Sequence, residues 1–404
     1  IQIFQPFHIV GFFSAFPADI INSADVYAGG FGARFGGRLS SVMDITARTG
    51  NKQRMVGAAT IAPFVSTVRL EGPLLPGKVS FLASYRQSVI EQGASKLVDQ
   101  ELPFEFGDIF AKIHAKLGSS AQLSITGIQT DDNGRLGLDP LVDSEVETVP
   151  DEIQWENLAV GSRLIFLPAS LPVFAELLIS YSSLNNKFGP PGDPTQTTNA
   201  TLFSFASNLT HYVGTTDFNW GIFLSSSKLD SDLGGIFQNV DLKVEYITEV
   251  GAYLEPVFNP MEGLSVQPGV RLQSFPSKNE SFIEPRLRVV WNTGIHRLSM
   301  AAGTYHQELT GLNDRRNAGD IFTAWTAAPN GKVPEAKHII AGYRVQPTNW
   351  ITFAAEGFYK DLTNLVVPEW TAFPRFNTNI QAADGTASGF DIRLELGSSD
   401  KFQT

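Results

Sequence analysis

The chain has 404 residues, with 30 Lys and Arg against 41 Asp and Glu, a formal net charge of -11 and no cysteine. The acidic balance argues against a nucleic-acid partner, because no basic excess exists to neutralise phosphates, and the lack of cysteine excludes disulfides and thiolate metal sites. No run of about 18 apolar residues marks a transmembrane helix, but a transmembrane strand needs only about 9 to 11 residues with alternate ones apolar.

The sequence opens in the middle of a pattern at Ile1, without Met or a signal peptide, which indicates a fragment or a processed chain. Near this start, five glycines crowd into nine residues: Gly29, Gly30, Gly32, Gly36 and Gly37. A phosphate-binding Gly-x-Gly-x-x-Gly loop would need glycine at position 35, where Phe35 stands. Glycine also permits positive φ and close backbone approach between short strands, so we predict a tight turn.

Beyond about residue 55 the sequence alternates between apolar and polar residues with a period of two, which predicts strands with one dry face. In residues 264–273 the apolar face holds Leu264, Val266, Val270 and Leu272, and the polar face holds Ser265, Gln267, Arg271 and Gln273. Residues 217–225, 283–291 and 391–396 repeat the pattern. Alternation alone does not distinguish a soluble sandwich from a membrane barrel.

The connections between the strands favour the barrel, because short and long connections alternate. Short ones lie at residues 74–78, 118–120, 167–170, 213–216, 259–263, 292–294 and 346–349. Mostly longer ones lie at 91–108, 131–156, 187–199, 230–241, 307–335 and 362–384. Tight periplasmic turns opposite long extracellular loops are typical of a transmembrane barrel, and Greek-key sandwiches do not keep to this pattern. With a tight hairpin at residues 63–66, we predict an all-β antiparallel barrel of about 16 strands.

With a barrel indicated, residues 16–51, FPADIINSADVYAGGFGARFGGRLSSVMDITARTGN, resemble the end of the plug domain of TonB-dependent outer-membrane receptors. LEGPL at residues 70–74 with SFLASYR at 80–86 resembles the next barrel hairpin of that family. IEPRLRVVW from residue 283, AAGTYHQ from 301 and AAEGFYKDLTNLV from 354 resemble later strands. The resemblance covers essentially the whole chain and is most like the variant found in the Bacteroidota.

By this resemblance, residues 1–52 are the C-terminal part of a plug domain and residues 53–404 are a partial transmembrane barrel. Full members have about 22 strands, so the resemblance implies that about six C-terminal strands, and the N-terminal part with its TonB box, are missing. It also implies a receptor in the outer membrane of a Gram-negative bacterium that imports a specific nutrient without a cofactor. The expected partners are outer-membrane lipid, the TonB–ExbB–ExbD energy-transducing complex, the nutrient ligand and a surface lipoprotein.

Arg34 and Arg38 project from the glycine turn, where the resemblance places plug arginines that face carboxylates of the lumen. The alternation of apolar and polar residues places three carboxylates on the inward face of the barrel, where they can meet these arginines: Glu249, Glu255 and Glu284. The alternative is that both arginines are solvated in a water-filled gap, since exposed ion pairs contribute only about 0 to 1 kcal/mol.

Aromatic residues in the predicted outer loops are candidates for contact with a ligand or a partner: Phe322, Trp325, Trp370 and Phe373. Clustered rings can stack on sugars or other planar or amphipathic ligands. They can equally anchor the protein at the membrane interface or contact a lipoprotein lid, so both interpretations stay open.

The sequence shows neither a metal-binding nor a catalytic constellation. Its six histidines lie far apart without a His-x-x-x-His pair, and no Gly-x-Ser-x-Gly motif occurs. We therefore expect no enzyme and no metal site. Two functions remain: energy-coupled import, and a passive or structural barrel, such as a porin-like channel or surface assembly component, whose plug never moves. A TonB box upstream would favour import.

Overall fold

The computed structural model describes residues 1–8, 11, 13–62, 64–89, 104–136, 151–232, 244–313, 322–329, 331–370 and 377–397. Almost all of these residues lie in antiparallel strands or in the turns between them. A short 3₁₀ turn occupies Ala18–Ile20. Across the described ranges, no helix has the length and apolar character needed to span a membrane.

The first 55 residues, called the N-terminal segment below, form two small antiparallel sheets. Strand β1 (Phe7–His8) pairs with β2 (Phe13–Ser14), and β3 (Ile21–Tyr27) pairs with β4 (Val42–Ala47). Because the connection between β3 and β4 contains the five glycines, the predicted turn lies between two short strands.

The strands that follow form the main sheet and one separate hairpin. The main sheet contains β5 (Val56–Ile61), β6 (Val65–Leu75), β7 (Val79–Ser88), β8 (Phe104–Leu117), β9 (Ala121–Leu136), β10 (Asp151–Phe166), β11 (Val173–Gly189), β12 (Gln196–Val213), β13 (Thr216–Asp232), β14 (Glu245–Met261), β15 (Leu264–Phe275), β16 (Glu280–Thr293), β17 (His296–His306), β20 (Glu335–Thr348), β21 (Ile351–Trp370) and β22 (Asn377–Leu396). The hairpin consists of β18 (Leu309–Asn313) and β19 (Thr323–Ala327).

The main sheet has 16 strands in the described part of the chain, in the order β22, β21, β20, β17 and then consecutively down to β5. Each strand pairs antiparallel with its neighbour, and the β18–β19 hairpin is inserted between β17 and β20 without joining the sheet. The predicted all-β antiparallel architecture and the predicted number of strands are therefore confirmed.

The two faces of the main sheet have opposite chemistry. On β15, Leu272 is 49% exposed on the outward face, whereas Arg271 and Gln273 on the inward face are 4% and 1% exposed. On β13, Trp220 and Ile222 are likewise exposed outward. A soluble sheet would bury its apolar face, so a belt of exposed apolar side chains around a polar interior fits a lipid environment.

The strands are longer than the sequence indicated. The predicted loops at residues 187–199 and 362–384 are largely strand, because β11 and β12 leave only residues 190–195 between them, and β21 and β22 leave residues 371–376. Strands of 16 to 20 residues exceed the roughly 9 to 11 that cross the hydrocarbon core. Their outer ends continue beyond the hydrocarbon core, where the strict alternation on which the prediction depended is not required.

The inward face of the main sheet surrounds the N-terminal segment. Ile20 is buried in a cluster with Leu82 of β7 and Phe110 of β8. Phe31 is fully buried against Tyr305 of β17, with ring centroids 4.4 Å apart. These wall strands come from distant parts of the sheet, so the segment fills the space that the sheet encloses.

Candidate functional site between the N-terminal segment and the main sheet

The glycine turn lies so close to the wall of the main sheet that side chains do not fit at several positions. Gly30 has a φ of +61°, and a Cβ there would lie 2.5 Å from the Cβ of Ala301. At Gly36, a Cβ would overlap the guanidinium of Arg271. At Gly30 the backbone conformation and the close approach both favour glycine, whereas at Gly36 only the close approach to the end of the Arg271 side chain does.

The other three glycines differ in what surrounds them. A Cβ on Gly29 would lie 2.8 Å from Cδ1 of Ile340, and one on Gly32 would lie 2.6 Å from Oε1 of Glu255. Gly37 has a φ of +66°, but its nearest contact would be Oε2 of Glu249 at 3.8 Å. At Gly37 the backbone angle alone favours glycine, whereas Gly29 and Gly32 lie against the wall.

Arg286 of β16 binds the turn through backbone carbonyls. Its Nη1 donates hydrogen bonds of 2.5 Å to the carbonyl oxygens of Gly32 and Phe35, and its Nη2 lies 2.7 Å from Oε2 of Glu284. Tyr305 adds a hydrogen bond from its hydroxyl to the Phe31 carbonyl. Because the acceptors belong to the main chain, these contacts depend on the path of the turn more than on its side chains.

Arg271 of β15 binds the same turn beside Arg286. Its Nη1 donates to the carbonyl oxygens of Ala33 and Arg34 at 3.3 Å, and its Nη2 lies 3.1 Å from Oε1 of Glu249. Glu255 of β14 completes the arrangement, because its Oε2 accepts a hydrogen bond of 2.5 Å from the Ala33 amide. The wall thus supplies donors and an acceptor to successive peptide groups.

The far side of the turn is held by β21 and by the end of β17. Nζ of Lys360 donates to the carbonyl oxygens of Ala28 and Ser40, at 2.7 and 3.0 Å. Oε1 of Gln307 accepts a hydrogen bond of 3.0 Å from the Leu39 amide. Contacts on both sides fix the two ends of the turn between β3 and β4.

The structure brings the predicted residues together with a different pairing. Arg34 lies 2.7 Å from Oε2 of Glu176 on β11, and not against any of the three carboxylates considered from the sequence. Arg38 donates to the carbonyl of its neighbour Gly37. Burial lowers the pKa of Arg38, and the nearby Glu249 opposes that shift. Of the three carboxylates, Glu255 contacts the turn directly, whereas Glu249 and Glu284 act through Arg271 and Arg286.

A second polar contact joins β1 and β2 to strands β7, β8 and β9. His8 is fully buried, and its ring stacks on Phe106 with centroids 4.5 Å apart. Arg86 pairs with Asp108 at 2.5 Å and donates a hydrogen bond of 2.6 Å to the Ser14 carbonyl. The wall therefore holds the start of the N-terminal segment by charged groups as well.

The outer-loop candidates are placed differently from the sequence expectation. Phe322 is buried beside the β18–β19 hairpin, and Trp325 on β19 packs edge-on against Phe4 of the N-terminal segment at 5.3 Å. The hairpin is folded inward, since the Trp325 amide donates to Oγ1 of Thr198 on β12. Trp370 ends β21, and Phe373 lies outside the described residues.

Sequence reasoning missed Arg271, Arg286, Lys360 and Glu176 as contacts of the turn. Arg271 lies on the polar face of its predicted strand, so the sequence does indicate that its side chain points into the barrel. Parity does not state which inward residues face the turn, because that depends on the register between strands and on the height of the segment in the sheet.

No family model matches the sequence, and no curated protein matches it. Solved structures do match. The siderophore receptor PirA from Acinetobacter baumannii is 13% identical, with a TM-score of 0.67, over 95% of this chain and 66% of that one. The FrpB iron transporter from Neisseria meningitidis (F3-3 variant) is 11% identical, with a TM-score of 0.68, over 94% of this chain and 66% of the transporter chain. A mutant of the ferric enterobactin receptor PfeA from Pseudomonas aeruginosa is 14% identical, with a TM-score of 0.66. That match covers 96% of this chain and 66% of the receptor chain.

The chain has the fold of the outer-membrane β-barrel receptors. This confirms the fold class implied by the resemblance to TonB-dependent receptors. The similar structures are described as receptors and a transporter. The chain spans about two thirds of the length of the structures that it matches, 66% in the case of the Acinetobacter receptor.

Proposed function

We propose that this chain belongs to a TonB-dependent outer-membrane receptor that imports a nutrient by energy-coupled movement of a plug. Residues 1–52 are the C-terminal part of that plug, and residues 53–404 are part of the barrel. The TonB–ExbB–ExbD complex supplies the energy. The observation that carries the proposal is the set of hydrogen bonds from Arg271, Arg286 and Lys360 to carbonyls of the glycine turn.

The polar contacts between the glycine turn and the wall are compatible with a plug that leaves its position in the barrel and returns to it. Charge-assisted hydrogen bonds contribute about 1.5 to 3 kcal/mol each when formed, but water can replace the lost partner when the lumen is wet. At the turn, movement therefore breaks mainly polar contacts with the wall. The buried ring of Phe31 against Tyr305 is the main apolar contact of the turn that movement would expose.

The fold neighbours suggest which nutrient to test first. PirA is a siderophore receptor, PfeA a ferric enterobactin receptor and FrpB an iron transporter, so a ferric siderophore is the first ligand class for uptake assays. Phe322 and Trp325 would contact the nutrient once the β18–β19 hairpin swings outward. A surface lipoprotein would cover the same end of the barrel.

A disulfide between plug and wall tests whether the plug moves. A Cβ at Gly269 would lie 3.2 Å from the Cβ of Ala33, close to the spacing of about 3.5 to 4.5 Å found in disulfides. The chain has no cysteine, so the pair Ala33→Cys and Gly269→Cys forms one defined bridge. Uptake of the nutrient that a deletion strain fails to import should stop when the bridge is oxidised and return on reduction.

A bridge within the wall is the matched control. Ser180 and Ser204 lie opposite each other on β11 and β12, with their Oγ atoms 3.5 Å apart. The pair Ser180→Cys and Ser204→Cys should leave uptake unchanged in both redox states, because it joins two barrel strands. Unchanged uptake with the plug bridge fully oxidised would instead favour the passive or structural barrel.

A further inference from the structure

The outward face of β16, β17, β20, β21 and β22 contains a groove of about 660 Å³. Its walls are large apolar side chains, among them Trp291, Met300 and Phe390, which are 41%, 49% and 78% exposed. Its floor is formed by the small residues Ala341 and Gly357. The sheet here is therefore recessed between tall side chains, in contrast to a uniformly apolar wall.

The size of the groove limits what can occupy it. A helix about 10 Å across takes up roughly 420 Å³ for each 5.4 Å turn, so the groove would hold less than two turns of a partner helix. A partner strand would add at a sheet edge, not on this face. A single hydrocarbon chain is narrower, needs no hydrogen-bond partners and continues from the surrounding lipid-facing surface.

The groove lies towards the end of the sheet that carries the short turns. Trp291 is near the end of β16 and Leu298 near the start of β17, on either side of the turn at Gly294. At its rim, Nδ1 of His296 lies 2.7 Å from the hydroxyl of Tyr343. Short turns face the periplasm in barrels of this kind, so this rim is at the level of the periplasmic headgroups.

We propose that the groove binds one acyl chain of a glycerophospholipid from the periplasmic leaflet, with His296 and Tyr343 beside its headgroup. The chain fills the recess over Ala341 and Gly357. This lipid is held longer than its neighbours because it contacts the floor as well as the tall side chains around it. The proposal depends on the membrane-facing surface and not on nutrient import.

Filling the groove tests the proposal. A Cβ on Gly357 would have its nearest contact at 3.9 Å, and the residue has no positive φ, so Gly357→Leu projects into the groove without backbone strain. The full-length protein is extracted in mild detergent, and its bound lipids are counted by native mass spectrometry. The unchanged protein should retain one glycerophospholipid. Occupancy should fall about tenfold in the variant, as expected when about two methylenes lose their site.

Gly127→Leu is the matched control, because Gly127 also lies on an outward strand face with ordinary contacts of 3.8 Å or more. It should retain the lipid. Heat-modifiable gel mobility shows whether Gly357→Leu folds. If it does not fold, Ala341→Leu, which also fills the floor of the groove, is used to test the proposal. Equal lipid retention by all folded variants overturns the proposal, as does an unchanged protein that carries no phospholipid or carries lipopolysaccharide instead.

Discussion

Nδ1 of His8 lies 2.7 Å from Oδ2 of Asp132, and Nε2 of the same ring lies 3.4 Å from Oδ2 of Asp108. A neutral imidazole has one N–H, so only the protonated ring presents a donor to both carboxylates. Arg86 adds the second positive charge. A protonated His8 therefore balances this buried group of two acids and two bases at the contact between the N-terminal segment and the wall.

Docking of β1 and β2 should weaken as the pH rises. Burial lowers the pKa of His8, but the hydrogen bonds to Asp108 and Asp132 outweigh it, so the pKa is raised above its ordinary value. Protonated His8 therefore stabilises docking fully at pH values below its ordinary pKa. This stabilisation is lost as the pH rises through the raised pKa. Hydrogen exchange in residues 1–15, corrected for intrinsic rates, should accelerate over this range.

The matched variants for this prediction are His8→Gln and His211→Gln. The first should remove the pH dependence of exchange, because glutamine does not titrate. The second should keep it, since His211 lies on the outward face beside Trp220. Asp131 also interacts electrostatically with His8. The variant Asp131→Asn therefore measures how much Asp131 contributes to the pH dependence of exchange. A persistent pH dependence in His8→Gln would assign the effect to another group.

Replacing Arg286 by Met should loosen the turn while the barrel still forms. The change removes donors to the Gly32 and Phe35 carbonyls and one partner of Glu284, which costs about 3 kcal/mol for a broken buried pair. We expect normal outer-membrane levels and increased sensitivity to large antibiotics. Arg288→Met is the control, because the Arg288 guanidinium contacts this region through the Tyr27 ring at 5.9 Å. Equal leakage in the two variants would argue against the role of Arg286.

Alanine at three glycines should separate backbone strain from lack of space. Gly30, Gly37 and Gly77 all have φ between +61° and +72°. Alanine at such angles costs about 1 to 2 kcal/mol. Gly77→Ala and Gly37→Ala should show only this cost, because nothing lies closer than 3.8 Å to the new Cβ. Gly30→Ala should destabilise more, since it also meets Ala301 at 2.5 Å, and thermal unfolding of the full-length protein measures the difference.

The sequence predicted the barrel because its signal is local. Residues such as Leu272 and Arg271 alternate along one strand, and the lengths of the connections are read directly from the chain. The sequence predicts a loop at the outer ends of β21 and β22 because these ends extend beyond the lipid, where strict alternation of apolar and polar residues is not required. Strand pairing continues there all the same, since each strand satisfies the backbone of the next.

The contacts of the glycine turn could be predicted only in part. Five glycines indicated a close approach, and Gly30 and Gly36 show it. The assignment of Arg34 to Glu249, Glu255 or Glu284 failed because the arginine reaches β11 and pairs with Glu176. Residues 142 positions apart meet here through the curvature of the whole sheet, which no local pattern encodes.

A charge on the outward face should impair insertion, whereas the same charge on the inward face should be tolerated. Ile222 on β13 is 49% exposed outward and lies between the strand ends, so Ile222→Arg should cost about 2 to 4 kcal/mol near the midplane of the bilayer. Asn219, three residues away, faces inward and hydrogen-bonds Thr210. Asn219→Arg should lose that bond but leave the guanidinium in the wet interior, at a cost nearer 1 kcal/mol. Folding into vesicles of matched thickness, followed by urea titration, measures both free energies of unfolding. Equal destabilisation by the two substitutions would contradict the assignment of the apolar face to lipid.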